Sequence, residues 1–157
     1  MPTPAELADA YLQGAKDLRT AVSGLTREQL TARPVPGRWS TLEVVCHIAD
    51  FEAVLTDRMK RIIAIDDSPL LLAADENDYA RTLHYHDRDL QEELALIDAT
   101  RQQMARILRQ LSAEQLQRSG VHSKRGLVTL EKIIQMATNH ISHHLPFIAE
   151  KKAALGV

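Results

Sequence analysis

The chain has 157 residues, 45% of them apolar and 25% charged, with a formal net charge of -2. That length holds one domain whose core needs no disulfide or structural metal, and the composition excludes a disordered chain and a general nucleic-acid binder, which carries a basic excess. One cysteine, no run of 18 apolar residues and an N-terminus lacking basic and apolar regions exclude an internal disulfide, a membrane span and a signal peptide, so a cytoplasmic protein is expected.

Helix punctuation is legible throughout. Thr3-Pro4-Ala5-Glu6 is a capping box with Pro at the first helical position, and Leu7, Tyr11, Gly14, Leu18 and Ala21 follow at helical spacing, predicting a first helix over 4–23. Ser40-Thr41-Leu42-Glu43 is a second capping box, with Trp39 and Val44 placed as a hydrophobic staple, and opens a helix over 40–65. Asp87 is placed to cap a third over 88–110, whose core stripe Leu90, Leu94, Ile97, Arg101, Met104, Leu108 includes one arginine. Thr129, after Gly126, caps a fourth over 129–152. Strand patterns are absent, so the expected fold is all-α, a four-helix bundle. The connection from Asp66 to His86 exceeds the roughly 2–8 residues of a helix hairpin. It reads as a long crossover that lets helices two and three run parallel, giving an up-down-down-up topology. Leu25-Thr26-Arg27-Glu28-Gln29-Leu30 also resembles Leu111-Ser112-Ala113-Glu114-Gln115-Leu116, each preceding a Gly-containing loop and a capped long helix. This is either an internal repeat or two capped helices agreeing by chance.

Seven histidines against six aromatics is the unusual feature of the composition. On a helical wheel, Phe51, Val44, Ile62 and Leu55 lie within about 80° of His47, and Ile133, Phe147 and Ala137 within about 60° of His140. His144 lies about 40° from His140 and His143 at the margin, about -60°. An H-x3-H pair arises roughly 0.3 times by chance at this histidine content, so alone it is weak. A third inward histidine changes that: three buried imidazoles leave ring nitrogens seeking partners, at about 1–3 kcal/mol each if unmet. The alternatives are three core histidines bonded to neighbours, or one divalent metal on a three-nitrogen face with positions left for water or substrate. Antiparallel packing of helices two and four brings the ligand levels within about 6 Å, against about 9 Å for parallel packing.

These residues resemble a known family. Trp39-Ser40-x-x-Glu43-x-x-x-His47-x-x-Asp50-x-Glu52 is similar to the first motif of the DinB-like proteins, and Gly126-x-x-Thr129-Leu130 with His140-x-x-His143-His144 and Ile148 to the second. The middle segment, from Pro69-Leu70 through Asp75 and Asp78 to Tyr85, resembles the same family, so nearly the whole chain is covered. The resemblance implies a four-helix bundle of up-down-down-up order, often a homodimer, with a divalent metal held by His47, His140 and His144. Zinc or nickel stand foremost among the ions that nitrogen ligands suit. It also implies a small-molecule substrate and a choice between water and a low-molecular-weight thiol as the activated group, since relatives include thiol-dependent S-transferases and a mycothiol-dependent isomerase. Asn139 and Phe147 depart from the second motif, and Pro146 should kink the last helix by crowding the carbonyl of Ser142.

Two further residues are candidates for a catalytic role. Arg101 reads either as a guanidinium at the pocket wall holding a substrate carboxylate or as a buried arginine paired with Glu43, Asp50 or Glu52. Asp50, one turn after His47, either orients an imidazole or acts as a base, or is a solvated helix residue. Cys46 points about 100° from His47 and reads as a core residue. His84, His86 and His122 read as exposed loop histidines, and Tyr85 as a cover for the pocket mouth. Three functions fit: a metal-dependent hydrolase or thiol S-transferase, a non-catalytic stress-related metal- or ligand-binding bundle, and a structural bundle with relic histidines.

Overall fold

A computed structural model describes residues 2–157. The Thr3 hydroxyl accepts from Glu6 N–H and Glu6 returns the bond, which starts α1 (Pro4–Val22). The same reciprocal pattern from Thr26 starts the short α2 (Arg27–Thr31), and from Ser40 the long α3 (Thr41–Ala64). Arg33 clamps the capping carboxylate of Glu43, so the loop before α3 is fixed to the helix it opens. The crossover is structured rather than a plain connection. It holds β1 (Leu70–Leu71), α4 (Glu76–Thr82) capped by Asp75, and a 3₁₀ turn at Tyr85–Asp87.

Helix α5 (Leu90–Leu108) is capped by Asp89, which accepts from Gln91 and Glu92 N–H, and not by Asp87. The Arg27 guanidinium donates to the carbonyls of His86 and Arg88, holding Asp87 in the preceding turn, so the helix starts two residues later than its sequence suggests. A β-hairpin follows, β2 (Ser119–His122) antiparallel to β3 (Gly126–Thr129), with β1 adding parallel to β2. These short strands add a small sheet to the helical bundle that the sequence predicts. At two to four residues each, they are too short to show an alternation. Gly120 belongs to this packing, since a Cβ there would lie 2.8 Å from the Leu71 side chain. Thr129 caps α6 (Leu130–Leu155), which continues as one helix through Pro146.

The two halves share a capped turn before the last helix of each, but the second turn is 3₁₀, at Gln115–Gln117, and leads into the hairpin. Ion pairs and hydrogen bonds between helices mark the helix directions. Arg19–Asp98 and Arg109–Asp9 make α1 and α5 antiparallel, while Glu52–Arg101 and Lys60–Gln103 make α3 and α5 parallel. Ala21 meets Lys152 and Gly14 meets Ile141, so α6 runs with α1. The four long helices therefore run up, down, down, up. Two apolar clusters fill the interior, one around Leu18, Val45, Ile97 and Ile141, the other around Tyr11, Met59, Met104 and Ile133. Between them lies a buried ion pair, described below. No described helix is long and apolar enough to cross a membrane.

Candidate metal centre

Helix α3 supplies His47 and α6 supplies His140 and His144, and the antiparallel crossing of the two helices brings the three rings together. Their centroids stand 4.9, 4.8 and 4.9 Å apart, a nearly equilateral set. Nε2 of His47 lies 3.0 Å from Nε2 of His140, and one nitrogen from each of the three rings falls within 4.8 Å of the others. Trp39 and Phe51 pack against His47 at 5.2 and 4.6 Å between ring centroids, walling the site with apolar surface.

Two nitrogens bound to one zinc-like ion at about 2.0–2.1 Å lie roughly 3 Å apart at a right-angled or slightly wider opening. The His47–His140 separation fits that spacing. Nδ1 of His47 and Nδ1 of His140 are buried without a protein partner, so the rings' hydrogen-bonding capacity is not met by their neighbours. Burial pushes His47 down to about 4, although Glu76 and Asp50 pull the other way. Burial, then the neighbouring His47 and His144, pushes His140 down to about 3, and burial pushes His144 down to about 4. Three neutral imidazoles near neutral pH are the protonation state a divalent cation requires. The residues fit the ion.

The remaining candidates are placed elsewhere. Arg101 is fully buried between the two apolar clusters and does not reach the histidines. Its Nε and Nη2 donate to Glu52 Oε2 at 2.9 and 2.8 Å, Nη2 also to the Ala137 carbonyl at 2.8 Å, and Nη1 to the Tyr11 carbonyl. Tyr11 donates to the same Glu52 carboxylate. Four of its five N–H groups are engaged within the protein and the side chain is fully buried, which favours the buried pair over a substrate-binding role. Asp50 is corrected similarly. Both its oxygens accept from Arg88 at 3.0 Å, and Arg88 also holds Glu93, so Asp50 bonds no imidazole and acts on His47 only through its charge.

Cys46 is a core residue whose thiol donates to the Tyr85 carbonyl and is pushed up by burial to about 12. Tyr85 is buried in the core rather than at a pocket mouth. His84 and His86 are exposed. His122 is not: it sits on β2, 6% exposed, with Nδ1 accepting from Lys124 N–H. His143 is exposed, its ring against His144 and Phe147.

The centre opens on two sides. On the His144 side a cavity of about 280 Å³ is lined by Arg38, Trp39, Asn77, Phe147 and Lys151. On the His140 side a second, of about 310 Å³, is lined by Phe51, Arg58, His122 and Arg125. Glu76, the first residue of α4, lines both. This acid was not singled out from the sequence, because α4 has no buried stripe to mark it.

The model of the DinB superfamily matches residues 10–148. This chain belongs to the DinB superfamily. Among its relatives, YfiT of Bacillus subtilis is 26% identical over 156 residues, covering 96% of this chain and 87% of its own length. OB0782 of Oceanobacillus iheyensis is 29% identical over 131 residues, covering 83% and 75%. Both carry names proposing a metal-dependent hydrolase. The solved structure of YfiT, described as a four-helix bundle of unusual topology, superposes with a TM-score of 0.89 at 24% identity, over 98% of this chain and 87% of that one. A mycothiol-dependent maleylpyruvate isomerase shares the fold at a TM-score of 0.71 and 12% identity, over 93% of this chain and 62% of its own.

Proposed function

We propose that this superfamily member is a metal-dependent hydrolase in which His47, His140 and His144 hold one divalent ion. The observation that carries this reading is the convergence of three neutral ring nitrogens, two of them 3.0 Å apart, at the meeting of two open cavities. A divalent ion there supplies the Lewis acidity that makes water, or a thiol, a nucleophile near neutral pH. The chain supplies the rest. Trp39 and Phe51 exclude bulk water from one flank of His47, which strengthens electrostatic interactions within the site. Glu76 is the carboxylate that lines both openings, and it accepts the proton released by the attacking group.

The test is metal content of untagged protein by mass spectrometry beside that of His47→Ala, followed by turnover of ester and amide panels with and without added low-molecular-weight thiols. Stoichiometric zinc or nickel with water-dependent turnover supports the hydrolase. Turnover only with a thiol replaces it by an S-transferase. Bound metal without turnover replaces it by a ligand-binding bundle, and no metal in either protein overturns the site itself.

A further inference from the structure

The cavity on the His140 side carries more positive charge than the fold accounts for. Arg58 reaches it from α3, and Lys124 and Arg125 from the turn between β2 and β3. Arg58 is only 6% exposed, yet its one protein hydrogen bond is from Nη2 to the Leu72 carbonyl at 2.6 Å, and its Nε is buried with no partner. Among the described residues none of these three cations forms an ion pair, whereas the fully buried Arg101 and the partly buried Arg88 are each tied to carboxylates. A guanidinium taken out of water without a counter-charge is destabilising, and a protein retains one where something anionic completes it. Burial above all, and next the neighbouring Arg125, lowers the pKa of Arg58, while Asp57 acts the other way.

His122 adds a directed donor. Its Nδ1 accepts from Lys124 N–H at 3.2 Å, so in the neutral ring the proton is on Nε2. Among the described residues Glu76 is the only carboxylate lining the cavity. It stands at the edge shared with the second opening and leaves the set net positive.

We propose that Arg58, Lys124, Arg125 and His122 form an oxyanion subsite that holds a carboxylate or phosphate group of the substrate beside the histidine centre. The assignment of that group to a substrate rests on the hydrolase reading above; the subsite itself does not. His140 lines the same cavity, so an anion held there is adjacent to the proposed metal and leaves the reacting bond to lie over the three histidines. A planar guanidinium fork reads two oxygens at once, while Lys124 contributes a point charge. Simple neutral esters are then poor substrates, and esters or amides bearing a terminal carboxylate or phosphate are preferred.

The experiment uses full-length, ¹⁵N-labelled protein stripped of metal, so that an anion cannot bind through the histidine centre. Inorganic phosphate, and separately acetate, are titrated at constant ionic strength against chloride, following the Arg58 Nε–H signal and the amides of Lys124 and Arg125. Saturable shifts with phosphate or acetate that chloride does not reproduce are expected, and the tighter of the two names the group. Lys124 and Arg125 are exposed, so the double variant Lys124→Gln/Arg125→Gln keeps the fold and should weaken the binding at least about tenfold. Shifts no larger than chloride's, or equal affinity in the double variant, overturn the proposal. Failure of this titration with metal still bound to native protein leaves the hydrolase reading standing. Saturable anion binding in a protein that takes up no metal does the reverse.

Discussion

At the scale of single residues, three imidazoles should behave unlike their neighbours. Replacing His47, His140 or His144 by Ala removes one of the three nitrogens proposed to hold the ion and should lower metal affinity by at least about a hundredfold, measured by competition with a chromophoric chelator. His143→Ala should cost less than about tenfold, because its ring is exposed and touches the site only through His144 and Phe147. The reverse ranking of His143 and His144 would move the centre to the other member of the pair. Glu76→Gln should lower kcat on any ester the protein turns over while leaving metal content unchanged, because the carboxylate lines the openings without belonging to the ligand set. The clustering of the three histidines was legible from the wheel, because the face a ring occupies on a helix is a question of angle. Arg58 was equally legible by that rule and was missed: eleven residues after His47, it lies about 20° from it on the same face. Glu76 was not legible, since nothing in a short exposed helix announces which loop will fold across a cavity.

At the scale of elements, the bundle is held at mid-height by a polar layer. Arg101 on α5 joins Glu52 on α3, the Tyr11 carbonyl on α1 and the Ala137 carbonyl on α6, one guanidinium bonded to all four long helices. Arg101→Met leaves the Glu52 carboxylate buried without its counter-charge and should destabilise by about 3–5 kcal/mol in urea titrations. Because Arg101 lies outside the histidine cluster, metal stoichiometry of the folded fraction should not change. Gly14 belongs to the same layer: a Cβ there would come within 2.8 Å of Arg101 Nη1. An end-group contact is ordinarily relieved by a small swing, but this guanidinium is pinned by Glu52, Tyr11 and Ala137 on three other helices. Gly14→Ala should therefore cost about 1–3 kcal/mol of overpacking against the roughly 1 kcal/mol that Ala gains over Gly in a helix, a net destabilisation of up to about 2 kcal/mol in urea titrations. The sequence reading placed Gly14 and Arg101 in core stripes without relating them, since the contact joins residues 87 positions apart on different helices. Long helices were readable because each opens with a hydroxyl or acidic cap. The hairpin and β1 were not, because four residues carry too little alternation to register.

At the scale of the whole molecule, the apolar clusters above and below the Arg101 layer are large enough to fold the chain, so the metal should add stability without being a condition for folding. Chelation is expected to lower Tm and leave the helical circular dichroism intact at room temperature. Acid should act differently on the metal-free protein. His47, His140 and His144 are pushed down to about 4, 3 and 4 when folded, against an ordinary value of 6.5. Well above pH 6.5, from about pH 8, these rings are neutral in both states and add no pH dependence. As pH falls from 6.5 towards 4, the unfolded chain takes up protons that the folded chain refuses, so unfolding becomes progressively easier. Urea midpoints of metal-free protein should fall between pH 7 and pH 5, with the slope against pH reduced in His140→Leu, which removes the most depressed of the three rings. Metal-loaded protein should lose stability more steeply over the same interval, because protonation there also releases the ion. A flat profile for metal-free protein, identical in native and His140→Leu chains, would mean that the three rings are hydrated rather than buried, and the case for imidazoles held neutral by burial would go with it.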